Sequence, residues 1–446
     1  MQRDFWIYPI MHKLINLFKT LGNQQVGYLR FAVCNALEHI MPRLFVVCGE
    51  ISNIHKLINI DKIIYHLGGY GLRFEEAFIK FQSEVLERYS LILFPEYIKD
   101  DIIYASYKEL EASCENIPPY ELLQFYSDTF YKNNPLGLQK LEKKDVIGWI
   151  PAKSLFNPNK EILFPAQMLF PSFVAISKKK EKMFFVAFST GTASQTTLEN
   201  ALLNALYEYI EIDAVMINWY TLRKSPRIDI SGTLLEDIAR KIINPEFYDL
   251  ILLYQTLPDI KVHVVSAFIV NKKNAVPILS FGAHADLDPY NATYRGLIEA
   301  SATAFLGVYA YFNKPEIIFK EIDYTNIMDI DTNVIFYALP KYKHISLKLM
   351  RDLTGETVIH LNELKRYSSD NIRATLQHLI RELRKISEWA IALEITLPDI
   401  KELGFRVVRV FIPELYCLCL PSFPYDAHKR ILKYGGVKNE FPHPLP

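Results

Sequence analysis

The sequence predicts a mixed α/β fold of the α+β kind, with helices and sheets packed in layers around one core. Three observations lead there. Long stretches of helical periodicity alternate with short strand-like runs along the chain. Half of the 446 residues are hydrophobic and 22% are charged, the balance of a globular protein with a large interior. No Gly/Ser/Pro linker, repeat or low-complexity tract divides the chain, so the layers are expected to share that interior.

The elements are expected in this order. Residues 1–65 mix helical and strand-like patterns without an assignable role. Residues 73–90 form an amphipathic helix, with Phe74, Ala77, Phe78, Phe81, Val85 and Tyr89 as its apolar stripe. A helical, Tyr-rich stretch covers about 105–132, followed by strands at 161–176 and 183–189. The basic run Lys178–Lys180 makes the hairpin turn between them. A long helix covers about 197–219, with Thr196 and Glu199 at capping-box spacing. Strands at 248–256 and 261–271 lead to a second long helix over 289–307, with Asp288 as N-cap and Pro289 as first helical residue. A helix at 369–388 and strands at 389–396 and 405–412 complete the series.

Composition excludes several classes. Lys plus Arg and Asp plus Glu are 50 each, so no net basic field favours nucleic acid or an anionic membrane. The start, MQRDFWIYPIMHK, lacks the layout of a secretory signal. No uncharged apolar run reaches the roughly 18 residues of a membrane span. The five cysteines have no metal-site spacing, and Cys417 and Cys419 read as core thiols pointing the same way from a strand. A cytosolic, soluble protein is expected.

The chemistry is carried by polar residues on apolar helices. Placed at about 100° per position, the 197–219 helix is apolar around most of its circumference. Asn200, Asn204, Glu208, Glu211 and Asn218 crowd into one stripe. Such a helix is normally buried, and a buried carboxylate must protonate, pair or bind a cation. A structural salt-bridge network is the plainer alternative. The 73–90 helix repeats the device with Lys80, Glu84, Glu87 and Arg88. Glu-x-x-Glu occurs only at Glu84/Glu87 and Glu208/Glu211, and residues three apart on a helix share a face. Four carboxylates without His or Cys partners favour a hard cation such as Mg²⁺, the usual companion of nucleotide phosphates. The 289–307 helix aligns Asn291, Arg295 and Glu299; Arg295 can pair with Glu299 or bind phosphate through its planar fork.

In this order the segments resemble the YcaO family. LGGYGLRFEEAFIKFQSEVLERYS is similar to its first nucleotide segment, and FSTGTASQTTLENALLNALYEYIEIDAVMINWY to its second. GAHADLDPYNATYRGLIEASATAF is similar to the third, and ALEITLPDIKELGFRVVRVFIPEL, with Arg409, to its late strand. The resemblance implies a catalytic domain over 61–446, preceded by a segment 1–60 of unassigned role, with sheets and long helices enclosing a nucleotide site. It implies that Glu84, Glu87, Glu208 and Glu211 hold Mg²⁺ and that Arg88, Asn204 and Arg295 contact ATP phosphates. Four positions depart from the family pattern: Tyr70, Lys80, Ala201 and Asn291. Lys80 either binds phosphate or pairs with Glu84, and Asn291 stands at a nucleotide-binding position where Gln is frequent.

The ending FPHPLP places Pro442, Pro444 and Pro446 in the Pro-x-Pro-x-Pro terminus of azoline-forming members. By physics alone such a tail is a stiff, unpaired end. The resemblance implies instead that it lines the active site and assists proton transfer, at 442–446. The implied activity is ATP-dependent cyclodehydration of Cys, Ser or Thr in a ribosomally made precursor peptide to thiazoline or (methyl)oxazoline. Such azoles belong to bacteriocins and antibiotics of the thiazole/oxazole-modified microcin type. Implied partners are a separate ubiquitin-activating-like leader-binding protein, a flavin-dependent azoline dehydrogenase and a second copy in a homodimer. The alternatives are a YcaO enzyme forming a backbone thioamide or amidine, and an inactive nucleotide-binding scaffold.

Overall fold

The computed structural model describes residues 15–18, 21–22, 27–35, 41–52, 54–60, 66–113, 115–133, 136–171, 173, 176 and 181–445. Near its start, β1 (Leu29–Cys34), β2 (Phe45–Ile51) and β3 (His66–Gly71) form an antiparallel sheet in that order. β3 feeds α1 (Phe74–Tyr97), which lies back on β3 and β2. Gly69 permits this close approach, because a Cβ there would sit 2.1 Å from the Ala77 carbonyl oxygen and 2.2 Å from the Phe81 nitrogen. Residues Leu21, Leu29, Val47 and Ile51 belong to the same apolar core as the rest of the chain.

The chain continues through β4 (Ile103–Ser106), β5 (Val146–Ser154), β6 (Glu161–Pro165) and β7 (Thr192–Gln195) into α2 (Leu198–Thr221). Next come β8 (Ser225–Asp229), β9 (Tyr248–Tyr254), β10 (His263–Asn271) and β11 (Leu279–Asp286), then α3 (Pro289–Asn313) and α4 (Ile330–Ala338). β12 (Thr354–His360), α5 (Ile372–Leu383), β13 (Ile391–Glu394) and β14 (Arg406–Phe411) follow. One sheet has the order β4-β5-β13-β14-β7 with β6 beside β5; the other runs β11-β10-β9-β8-β12, antiparallel except where β12 joins β8. Helix α2 packs on β14 and β7 of the first and on β11 and β10 of the second. That sandwiching explains why it is apolar almost all round: from Tyr209 to Thr221 every residue is buried. Helix α3 lies on β11 and β10, and Gly282 plays the part of Gly69, since a Cβ there would meet the Ala300 nitrogen at 2.2 Å.

Several expected boundaries move. The first helix runs on to Tyr97, through Pro95. The stretch 105–132 is not one helix: β4 leads into a short helix at Tyr107–Ala112, and Pro118–Pro119 break the chain before a single 3₁₀ turn. The strand expected over 161–176 ends at Pro165, where a helical turn begins. Residues 183–189 belong to no regular element and form no ladder; the Phe184 amide donates to the Gln167 side chain at 2.9 Å, and the Met183 carbonyl accepts from the Gln139 amide. The expected turn at Lys178–Lys180 lies outside the described residues. The cap of α2 is Thr197, not Thr196: its Oγ accepts from the Asn200 amide, and Glu199 pairs with Arg373 at 3.1 Å. Cys417 and Cys419 are buried as expected, in irregular chain after β14 rather than in a strand. Among the described residues no helix is long and apolar enough to cross a membrane.

Candidate active site

The two Glu-x-x-Glu pairs come together between α1 and α2. On α1, Glu84 accepts from the Gly68 amide of β3 at 2.7 Å and from Arg88 Nη2 at 3.1 Å. Arg88 Nη1 also donates to Glu87, so one guanidinium serves both acids of the pair. Burial pushes Glu84 upward against the pull of Arg88. It pushes Glu87 up to about 8, with Glu208 and Glu84 adding repulsion. Across the interface Glu87 therefore meets a second carboxylate, Glu208, together with Arg409, which pulls the other way.

On α2, Glu208 accepts from the Gly191 amide at 3.2 Å and is pushed up to about 7 by burial. Glu211, one turn on, is 7% exposed and lies well above the usual carboxylate range, through burial and repulsion from Glu299 and Glu208. Its Oε2 sits 3.3 Å from His284 Nδ1 on β11. A fifth acid, Glu299 of α3, accepts from the Ala283 amide at 2.9 Å and is pushed up to about 7 by burial, with Glu208 adding repulsion. Of the two roles open to Arg295, the pairing with Glu299 does not form; Arg295 Nη1 lies 3.3 Å from His284 Nε2 instead. The sequence reading singled out the four metal-type carboxylates but not Glu299 as a member, and it missed His284, whose lone place on a strand carries no spacing signal.

Lys80 does not pair with Glu84. Its Nζ bonds Glu76 at 2.7 Å and the Tyr70 carbonyl at 3.0 Å, and lies over the Tyr70 ring at 5.1 Å. The pairing one turn toward the N-terminus has the favoured Glu-before-Lys order. Burial lowers the Lys80 pKa, and Tyr70 is half-buried near Glu299, Glu211, Glu84 and Arg295. Asn204 is half-buried one turn before Glu208, while Asn291 is exposed and bonds Asp286. Asn218, at the far end of the stripe, is structural: its amide donates to the Ala214 and Gln255 carbonyls.

The tail is not an unpaired end. The Asn333 amide on α4 donates to the carbonyls of His443 and Leu445 at 2.7 and 3.2 Å, and Tyr337 donates to that of Pro442. Trp219 of α2 donates to the Phe441 carbonyl at 3.2 Å. Pro442 and Pro444 are buried, whereas Pro446 lies outside the described residues. The tail thus meets α2 eight residues past Glu211, about 12 Å along the helix axis.

The donor set fits Mg²⁺ with a nucleotide. Among the described residues no group of three or more His, Cys, Asp or Glu side chains could hold a metal ion by itself. Mg²⁺ asks for less: one or two carboxylates, completed by waters and phosphate oxygens. Five acids, Glu211 buried and the other four half-buried, with their charge incompletely met and with Arg88, Arg295, Lys80 and Arg409 near them, match that division of labour.

Among solved structures, a heterocyclase in complex with substrate and cofactor has a TM-score of 0.73 at 18% identity, covering 98% of this chain and 57% of that one. The YcaO protein of Methanopyrus kandleri bound with AMPPCP and Mg²⁺ gives 0.63 at 15%, covering 97% and 95%. The microcin synthetase McbBCD complex of E. coli gives 0.60 at 13%, covering 93% and 96%. The chain spans just over half the length of the first of these, and at these identities the likeness is one of fold. No curated protein matches the sequence. The family model described as YcaO cyclodehydratase, ATP- and Mg²⁺-binding, matches residues 68–416, and the chain belongs to the YcaO family.

Proposed function

We propose that the chain is an ATP- and Mg²⁺-dependent peptide cyclodehydratase that forms azolines from Cys, Ser or Thr of a precursor peptide. The observation that carries the reading is the meeting of Glu84, Glu87, Glu208, Glu211 and Glu299 from three helices, with too few cations to neutralise them. Glu84 and Glu87 on one side and Glu208 and Glu211 on the other would hold Mg²⁺, which when bound neutralises the phosphates and so favours attack on the γ-phosphorus. Arg88, Arg295, Asn204 and Lys80 would face the phosphates, with Asn291 at the rim.

In the reaction, the substrate thiol or hydroxyl attacks the preceding peptide carbonyl carbon, losing its proton to a base. The new oxyanion attacks the γ-phosphorus of ATP, and ADP leaves. The amide nitrogen then loses its proton and forms the C=N bond as the C–O bond breaks, releasing phosphate. Arg295 and Lys80 would stabilise the charge that builds on the transferred group. The docking of the proline tail supports the azoline-forming subclass, in which Pro442, Pro444 and Pro446 would assist proton transfer. A separate ubiquitin-activating-like protein would deliver the leader peptide, and a flavin-dependent dehydrogenase would oxidise azolines to azoles; a homodimer fits the same reading.

The test is incubation of the protein and its partner with Mg²⁺, ATP and precursor peptide, read by mass spectrometry. Loss of one water per modified residue with matching ADP release is expected. Exchange of oxygen for sulfur would instead mean thioamide formation. Tight nucleotide binding without peptide-dependent ADP release would mean a scaffold.

A further inference from the structure

Strand β3 pairs with β2 on one side only, and the hydrogen bonds show which of its groups face the free edge. The Asn35 amide donates to the Val46 carbonyl at 2.9 Å, so Val46, Cys48 and Glu50 of β2 turn their backbone toward β1. In the antiparallel ladder with β3, Val47 and Gly49 are then the bonded partners of Gly69 and Leu67. Gly68 and Tyr70 therefore turn their backbone groups outward, away from β2. Side chains of α1 take one group of each: the Gly68 amide donates to Glu84 at 2.7 Å, and the Tyr70 carbonyl accepts from Lys80 Nζ at 3.0 Å. The Gly68 carbonyl and the Tyr70 amide, which lie between these caps, have no hydrogen bond among the described residues. On the face that Gly68 shares with Tyr70 the space is open, since a Cβ on Gly68 would meet nothing within 4 Å.

A carbonyl and an amide two residues apart on one strand edge match a single extended residue. Its N–H bonds the first and its C=O accepts from the second, the pattern of parallel pairing with the incoming residue level with Gly69. Antiparallel pairing needs both groups of one residue, and Glu84 and Lys80 have capped one group of each. The same caps limit the slot to one residue, so the incoming chain lifts away on both sides. Phosphate oxygens only accept and leave the Gly68 carbonyl unmet. An adenine edge offers a donor and an acceptor as well, but Gly68 is bonded to Glu84, where the reading above puts metal and phosphates rather than the base.

We propose that this edge of β3 docks the substrate residue that precedes the cyclising Cys, Ser or Thr. The N–H of that residue donates to the Gly68 carbonyl, and its C=O, the carbonyl under attack, accepts from the Tyr70 amide. The Tyr70 amide thus stabilises the oxyanion as it forms. Side chains alternate along an extended chain, so the cyclising residue points to the face that Gly68 and Tyr70 share, where Gly68 leaves open space. The assignment rests on the peptide-substrate reading above and adds the atoms that hold the substrate backbone.

The test uses the full chain with ¹³C-carbonyl glycine and ¹⁵N tyrosine, which together mark only the Gly27–Tyr28 and Gly69–Tyr70 peptide bonds. Tyr70→Phe removes one of these amide signals and so assigns it. The probe is acetyl-alanyl-serine methylamide at millimolar concentration, with Mg²⁺ and AMPPCP present. The Tyr70 amide proton should move downfield and saturate, with the Tyr28 signal as internal reference. The analogue built on N-methylalanine lacks the N–H for the Gly68 carbonyl and should bind at least about fivefold more weakly. A Tyr70 signal that the first peptide leaves unmoved overturns the proposal, as does one that both peptides move with equal affinity. A shift caused by adenosine alone overturns it too and makes the edge a base site. Peptide-dependent ADP release is measured separately: its absence with the peptide shift intact sinks the cyclodehydratase reading alone, and its presence without the shift sinks the docking slot alone.

Discussion

His284 Nδ1 lies 3.3 Å from Glu211 Oε2, while its Nε2 faces Arg295 Nη1 at the same distance. A guanidinium only donates, so Nε2 must be the acceptor and the ring proton must sit on Nδ1, toward Glu211. Burial holds the imidazole well below its usual pKa, which keeps that neutral tautomer. The ring therefore orients both a metal-type carboxylate and a phosphate-type arginine. His284→Leu should lower peptide-dependent ATP consumption by more than about tenfold, and His284→Asn, which keeps a donor and an acceptor, should restore part of it. Equal activity in both variants would remove His284 from the machinery.

The raised acids make a pH prediction. Glu87 sits at about 8, and Glu208 and Glu299 at about 7. The folded chain then binds more protons than the unfolded chain, whose carboxylates titrate near about 4. Stability without ligand is fullest below that range and falls as pH rises, with the loss complete above about 8. A cation bound to the ionised acids reverses the loss. Melting temperature should decline across this window, and Mg²⁺ with AMPPCP should raise it more at the alkaline end than at the acid end. A ligand shift that shrinks with rising pH would contradict the metal assignment.

The same argument separates function from stability at a single residue. Glu208→Gln keeps the shape and can still accept from the Gly191 amide, but it cannot ionise. Removing a half-buried charge that repels Glu87 should leave the ligand-free melting temperature equal or higher. ATP consumption should fall by more than about a hundredfold. A variant both stable and active would show that Glu208 holds no metal.

What the sequence revealed follows from what it encodes locally. The Glu-x-x-Glu spacing, the all-round apolarity of the segment after Thr197 and the Asp288–Pro289 cap are one-dimensional signals, and each appears where expected. Glu299 joins the acids only because α3 crosses β11 at Gly282, and that contact has no signature in the 289–307 pattern. His284 and the free edge of β3 depend on how separate strands are ordered in sheets. The strand expected at 183–189 failed for a related reason: the Gln167 side chain and the lone Gln139 amide, rather than a neighbouring strand, bond its backbone.

Lys80 discriminates between an ion pair and a phosphate ligand. Its bond to Glu76 joins residues four apart on a helix, a pairing worth only about 0.5 kcal/mol. Lys80→Met should therefore shift the melting temperature little. If the ammonium reaches phosphate, the KM for ATP should rise about tenfold with the KM for peptide unchanged. Unchanged kinetics would leave Lys80 as a helix-surface pair.

The tail calls for two variants, because its docking and its proposed chemistry are separable. Deleting 442–446 exposes the site of Leu445, now 4% exposed, and frees the Asn333 amide. Lost burial contributes about 2 kcal/mol and the two hydrogen bonds about 1 kcal/mol each, so the melting temperature should fall clearly. Pro446→Ala leaves Leu445 and the Asn333 bonds in place. Its melting temperature should match the wild type while cyclodehydration slows and nucleotide affinity stays constant, if the terminal proline serves proton transfer. Parallel loss of stability and activity in the deletion, with full activity in Pro446→Ala, would make the tail a clamp across α2 and α4 and nothing more.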